Sequence, residues 1–94
     1  MKFLEFSLNR EHLRELFSDS CFYCGTPPSL THRRSGSPSV FNFNGIDRLD
    51  NSRGYVEGNV VSCCKVCNFR KGAADKLEFI LWIEKVYLNL IGNH

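Results

Sequence analysis

The chain has 94 residues, a formal net charge of +2 and five cysteines. A chain of this length forms one domain with a small hydrophobic core, so a further stabilising element is expected. The charge is too small to indicate a nucleic-acid partner by itself, and no apolar segment has the length of a signal peptide or a membrane span. We therefore expect a single domain over residues 1–94 in a reducing, cytoplasmic compartment, where cysteine pairs favour metal ions over disulfides.

The first predicted element is a helix over residues 9–17. Leu13, Leu16 and Phe17 recur at helical spacing, and either Ser7 or Asn9 can cap the first turn. The helix leads to a cysteine pair, after which the abundance of Ser, Gly and Pro predicts a loop to about residue 39.

A β-hairpin followed by a short helix is predicted next. Apolar and polar side chains alternate from Val40, and Gly45 permits a bulge, so a strand is predicted over residues 40–49. Turn-forming residues precede a return strand around Val60 and Val61. The helix that follows, beginning near residue 65, is expected to be interrupted at Gly72.

The last predicted element is a helix over residues 75–90, with Asp75 as its cap. Its apolar residues share one face and its polar residues lie elsewhere. The apolar face comprises Phe79, Trp82, Ile83, Val86, Tyr87 and Leu90. This face is interpreted as part of the core and not as a partner surface.

Two C-x2-C pairs, Cys21 with Cys24 and Cys64 with Cys67, predict a structural zinc site. Each pair places two thiolates on one side of a tight turn, and together they complete a tetrahedral shell. A site closed by four cysteines has no position for water, so Zn²⁺ is expected to stabilise the fold and not to catalyse. Cys63 could replace Cys64, but only Cys64 has the two-residue spacing to Cys67. Cys63 is therefore interpreted as a core side chain or a free thiol.

Three polar residues are expected near this zinc site: Asp47, Asn59 and Asn68. An aspartate carboxylate and a carboxamide are oxygen donors that can hold one Mg²⁺ or Mn²⁺ beside a phosphate. Taken singly, Asn59 is more typical of a turn and Asn68 of a helix cap.

The run GIDRLDNSRGYVEGNVVSCCKVCNFRKG, with the upstream CFYCG, resembles the HNH endonucleases of the ββα-metal (His-Me finger) superfamily, particularly small phage-type members. The resemblance covers residues 21–72. It implies a small α+β fold, with a zinc-stapled ββα-metal core flanked by the N-terminal and C-terminal helices. It also implies metal-dependent hydrolysis of double-stranded DNA to a 5′-phosphate and a 3′-hydroxyl, with Mg²⁺ or Mn²⁺ as the catalytic cofactor.

The same resemblance assigns roles by position. It implies that Asp47 is the first ligand of the catalytic metal and that Asn68 is the second. Asn59 corresponds to the residue that braces the loop around the base.

Arg48 stands where the family has the His that activates water. A guanidinium stays protonated, so Arg48 cannot be the base and is expected to clamp the scissile phosphate instead. His32 in the predicted loop, Tyr55, and hydroxide generated at the metal are the alternatives for the base.

Between residues 32 and 71, seven Lys and Arg stand against three acids. This excess suits a phosphate backbone, although a solvated charged surface has the same composition. The side chains expected to contact DNA are Arg33, Arg34, Arg53, Arg70 and Lys71. Because Arg48 replaces the base, the alternative interpretation is a catalytically inactive zinc module that binds nucleic acid or a partner protein. The DNA sequence that is cut and the formation of a homodimer are left open.

Overall fold

Three helices and two antiparallel two-stranded sheets make up the described part of the computed structural model, residues 5–33, 36 and 40–92. The elements are α1 (Arg10–Ser18), β1 (Leu30–Arg33), β2 (Val40–Phe43), β3 (Gly45–Arg48), β4 (Val60–Cys63), α2 (Lys65–Lys71) and α3 (Lys76–Tyr87), which continues into a π-helical turn (Leu88–Gly92). Strand β1 pairs with β2, and β3 pairs with β4. The small α+β fold class predicted from the sequence is therefore confirmed.

Helix α1 lies where the sequence predicts it. The side chain of Asn9 accepts a hydrogen bond from the backbone N–H of His12 at 2.9 Å, which caps the first turn. Ser7 is not the cap, because the helix begins at Arg10, directly after Asn9; the backbone N–H of Ser7 donates to the carbonyl of Tyr55. The other end of the helix is attached to β4, since the hydroxyl of Ser62 donates to a carbonyl in the last turn of α1.

Asn44 divides the strand predicted over residues 40–49 into two strands that belong to different sheets. Its backbone N–H donates to the carbonyl of Phe17 at 2.9 Å, and its side-chain amide donates to the carbonyl of Thr26 at 3.2 Å. These bonds turn the chain away from β2, so a change of sheet replaces the bulge expected at Gly45. Strand β2 pairs instead with β1, which occupies part of the segment predicted to be a loop.

The second hairpin and the helix after it follow the predicted order. Strands β3 and β4 pair antiparallel, with Asp47 opposite Val61. Helix α2 ends where its interruption was predicted: Gly72 has a φ of 57° and donates its N–H to the carbonyl of Asn68 at 3.1 Å. This strand–strand–helix unit brings the second cysteine pair to the junction between β4 and α2.

The hydrophobic core is small. Among the described residues, the buried apolar side chains are Leu8, Cys21, Cys63, Cys64 and Phe79. The buried polar side chains are as numerous: Asn44, Asp47, Asn59, Ser62 and Lys71. With so little apolar burial, we expect internal hydrogen bonds and a further stabilising element to contribute to the stability of the fold.

Helix α3 is present, but its apolar face is not buried. Phe79 is the one buried residue of this helix, while Trp82 and Tyr87 are 60% and 53% exposed. The interpretation of the face as core is therefore wrong: beyond Phe79 the helix extends past the small body. The radius of gyration is accordingly 15.8 Å, against about 12 Å for a compact domain of this length. Asp75 does not cap α3 with its side chain, which accepts the backbone N–H of Asn51 at 2.7 Å.

Candidate metal and phosphate site

Four cysteine side chains converge between the loop after α1 and the junction of β4 with α2. The Sγ atoms of Cys21, Cys24, Cys64 and Cys67 all lie within 4.8 Å of one another, and those of Cys24 and Cys64 are 3.6 Å apart. Sulfur atoms around a tetrahedral Zn²⁺ with bonds of about 2.3 Å are about 3.8 Å apart. The cluster therefore has the donors and the spacing to bind a metal such as zinc, as the two C-x2-C pairs predict.

The thiols differ in their surroundings. Hydrogen bonds from the Thr26 hydroxyl, 3.0 Å from the sulfur, and from the Thr26 backbone lower the pKa of Cys24 to about 6. Burial raises the pKa of Cys67 well above its usual value, and contacts with the other thiols act in the same direction. A metal cation bound at the cluster removes this difference in protonation, because it binds all four cysteines as thiolates. Cys63 is 1% exposed and remains outside the cluster, as predicted, and burial raises its pKa to about 12.

Asp47 is buried in an ion pair that the sequence analysis did not identify. Lys71 Nζ lies 3.2 Å from each carboxylate oxygen of Asp47 and 3.3 Å from the carbonyl oxygen of Arg48. Tyr23 donates its hydroxyl to Asp47 Oδ2 at 2.7 Å. Burial and this bond to the carboxylate raise the pKa of Tyr23 well above its usual value, so the hydroxyl remains a donor. These contacts join the first cysteine pair, β3 and α2 at one carboxylate.

Lys71 is not available to DNA, contrary to its assignment to the basic surface. Its side chain is 0% exposed, and its three N–H donors are matched by three oxygens. The sequence does contain a signal for this burial: Lys71 follows Cys67 by four residues, so both side chains lie on the inner face of α2. Tyr23 carries a comparable signal, because it lies between the two cysteines of the first pair.

Arg48 is fixed against the loop between β3 and β4. Its Nη1 donates to the carbonyls of Asn51 and Arg53, both at 3.0 Å, and its guanidinium lies 5.1 Å from the centre of the Tyr55 ring. The two hydrogen bonds engage one nitrogen of the guanidinium. Its remaining N–H donors suit a phosphate oxygen.

Asn59 supports the same loop from inside. Its Oδ1 accepts the backbone N–H of Asp50 at 3.0 Å, and its amide donates to the carbonyls of Asp50 and Gly54 at 3.1 and 2.8 Å. The residue is 1% exposed and is not among those that line the adjacent cavity. Asn59 therefore fixes the turn that carries the partners of Arg48, which is a bracing position.

The other candidate residues lie around one surface cavity of about 410 Å³. It is lined by Asp47, Arg48, Tyr55 and Asn68, together with Ile46, Asn51, Gly72 and Ala73. Lys71 and Tyr23 make three contacts to the Asp47 carboxylate, which has about four lone-pair positions. Asp47 and Asn68, on the same cavity, are residues whose side chains carry oxygen donors of the kind that Mg²⁺ and Mn²⁺ accept.

The remaining predicted residues are more dispersed. His32 lies in β1, opposite Phe41, and not in the loop predicted for it. Arg53 is exposed, and its backbone carbonyl is one of the two partners of Arg48, whereas Arg70 is exposed and lines the apolar groove along α3. Arg33 is the last residue of β1, and Arg34 lies outside the described residues.

Fold and site together define a small α+β domain with a four-cysteine cluster next to a cavity that combines an acid, an amide and a guanidinium. The chain is similar to an uncharacterized protein of Acanthamoeba polyphaga mimivirus, with 32% identity over 80 residues. The match covers 85% of this chain and 13% of the length of the viral protein. No protein-family model and no solved structure matches the chain significantly. Within the described residues, no helix has the length and apolar character needed to cross a bilayer.

Proposed function

We propose that the chain is a metal-dependent DNA endonuclease of the HNH type. The observation that carries the proposal is the convergence of Asp47, Arg48 and Asn68 on one cavity. It is supported by the order of β3, β4 and α2, which presents a carboxylate from a strand and an amide from a helix beside the four-cysteine cluster. Asp47 and Asn68 would hold a divalent metal, which when bound supplies charge stabilisation for phosphodiester hydrolysis.

Arg48 would bind the scissile phosphate. Its guanidinium is already oriented by two carbonyls and by the Tyr55 ring, so little reorganisation is needed when charge develops on the phosphate. Of the two side chains considered as the base, Tyr55 lines the cavity, while His32 belongs to β1.

Nicking of supercoiled plasmid DNA tests this function. Zinc-loaded protein with Mg²⁺ or Mn²⁺ is expected to nick, and Asp47→Asn and Asn68→Ala are each expected to lower the rate by at least about 100-fold, because each removes a metal ligand. Glu57→Gln, an exposed acid in the same inter-strand loop but outside the cavity, is the matched control and should keep the wild-type rate. Absence of nicking by the wild type with either metal, or equal nicking by Asp47→Asn, would refute the proposal.

A non-catalytic zinc module that binds nucleic acid is the second candidate. It is favoured by one observation: the Asp47 carboxylate has a buried cationic partner, Lys71, at 3.2 Å. This candidate requires DNA binding that weakens steeply with salt, together with no cleavage at any metal concentration. Fluorescence anisotropy of a labelled duplex measures the binding, and metal-dependent nicking that disappears in Asp47→Asn rules this candidate out.

The expected partners are double-stranded DNA and a second copy of the chain. The second copy is suggested by an exposed apolar groove along α3, in which Phe69 is 86% exposed and Trp82 is 60% exposed. The apolar residues that line it are Phe69, Phe79, Trp82, Ile83, Val86, Tyr87, Leu90 and Ile91. Together they expose on the order of 800 Å², the area that one partner contributes to a standard-size protein interface. The cytoplasmic location stays a prediction.

A further inference from the structure

The charges around the cavity favour an anion over a cation. Asp47 is the one acidic side chain among the described residues that line it, and Lys71 already neutralises this carboxylate at 3.2 Å. Arg48 adds a second positive charge to the same wall. One carboxylate against two cations leaves a net positive site, which attracts a phosphate group and weakens the binding of a divalent metal when no phosphate is present.

We propose that Lys71 is a built-in cation that competes with the divalent metal for Asp47, so that the metal binds weakly until a DNA phosphate enters the cavity. This inference rests on the proposed nuclease function and concerns the same site. Lys71 acts through Asp47 and does not touch the substrate, because its side chain is fully buried. It is therefore a positioning residue.

The hydrogen bonds of Lys71 explain why it does not simply move aside. Its ammonium group contacts both oxygens of Asp47 and the carbonyl of Arg48, so all three of its donors are satisfied. Displacement would leave a buried charge without a partner, which is strongly unfavourable. A phosphate bound at Arg48 supplies the negative charge that the site lacks, and metal and DNA are then expected to bind cooperatively.

The affinity of Mn²⁺ for the zinc-loaded chain in the absence of DNA tests this role, measured by loss of the electron paramagnetic resonance signal of free Mn²⁺. Lys71→Met and Lys71→Gln are each expected to bind Mn²⁺ at least about tenfold more tightly than the wild type, because each removes a positive charge 3.2 Å from the carboxylate that would hold the metal. Adding Asp47→Asn to either variant should abolish the gain. Lys65→Met, an exposed lysine on the same helix, is the matched control and should leave the affinity unchanged. The cysteine cluster does not interfere, because thiolates prefer Zn²⁺ to Mn²⁺.

Equal Mn²⁺ affinity in the wild type and both Lys71 variants would overturn the proposal, as would a gain that survives Asp47→Asn. If a Lys71 variant loses its fold, restoration of the circular dichroism spectrum by Mn²⁺ supports the proposal. Failure of Mn²⁺ to restore either variant means that Lys71 is only structural, and the proposal is then wrong. If the wild type does not nick DNA, the nuclease proposal is refuted, but the measured Mn²⁺ affinities of the wild type and the Lys71 variants are unaffected. The failure of one proposal can therefore be distinguished from the failure of the other.

Discussion

Asn59 illustrates, at the scale of single residues, how a side chain can shape the site without lining it. We expect Asn59→Ala to lower the free energy of unfolding by about 2–3 kcal/mol, because it leaves a backbone N–H and two carbonyls in the loop without their partner. Urea denaturation of the zinc-loaded protein measures the loss. Asn42→Ala, at an exposed position on β2, is the control and should change stability by less than about 0.5 kcal/mol. Similar losses in both variants would contradict this role.

The sequence predicts the residues of the candidate site better than it predicts their hydrogen-bond and ion-pair partners. Asp47 and Asn68 could be selected as oxygen donors expected beside the cysteine pairs, and Arg48 through the family resemblance, and all three line one cavity. The contacts of Tyr23 and Lys71 with Asp47 could not, because they depend on how the first cysteine pair and α2 dock against β3. Tyr23 lies 24 positions before Asp47 in the sequence and Lys71 lies 24 positions after it, so only the folded chain brings the three together.

The cysteine cluster makes a prediction at the scale of elements, since adjacent cysteines differ in role. Cys64→Ser is expected to reduce bound zinc well below one ion per chain and to loosen the fold, because metal binding contributes to folding. Cys63→Ala should keep full zinc occupancy, since its sulfur lies outside the cluster. Elemental analysis and circular dichroism with and without a chelator measure both effects. Loss of zinc from Cys63→Ala with retention in Cys64→Ser would reverse the assignment.

The elements with strong local signals were predicted best. Asn9 caps α1, and Gly72 ends α2, both from chemistry contained within a few residues. The strand over residues 40–49 was predicted as one element because its alternation continues through Asn44. The strand is divided by hydrogen bonds from Asn44 to the carbonyl of Phe17 and to other carbonyls distant in the sequence. The local pattern of apolar and polar residues does not predict these bonds.

The exposed face of α3 gives a prediction at the scale of the whole molecule. If a second copy covers it, sedimentation equilibrium should give twice the mass of the chain, and Trp82→Glu should yield a monomer because it buries a charge in the interface. Leu77→Glu is the matched control: Leu77 is 67% exposed on the same helix but does not line the groove, so this variant should remain dimeric. A monomeric wild type at micromolar concentration would exclude the homodimer.

The bond between Asn44 and Thr26 bears on how such a protein can diversify. The chain leaves the cysteine loop after Thr26 and returns at Asn44, whose amide donates to the Thr26 carbonyl at 3.2 Å and closes the base of the β1–β2 hairpin. The described residues of this hairpin neither line the Asp47 cavity nor belong to the cysteine cluster. The hairpin is therefore separate from the cavity and the cluster, although it packs on α1 through Phe43, whose ring centre lies 6.3 Å from that of Phe17. A hairpin of another length or charge could be grafted between Thr26 and Asn44, which would change the exposed surface and leave the cavity and the cysteine cluster in place.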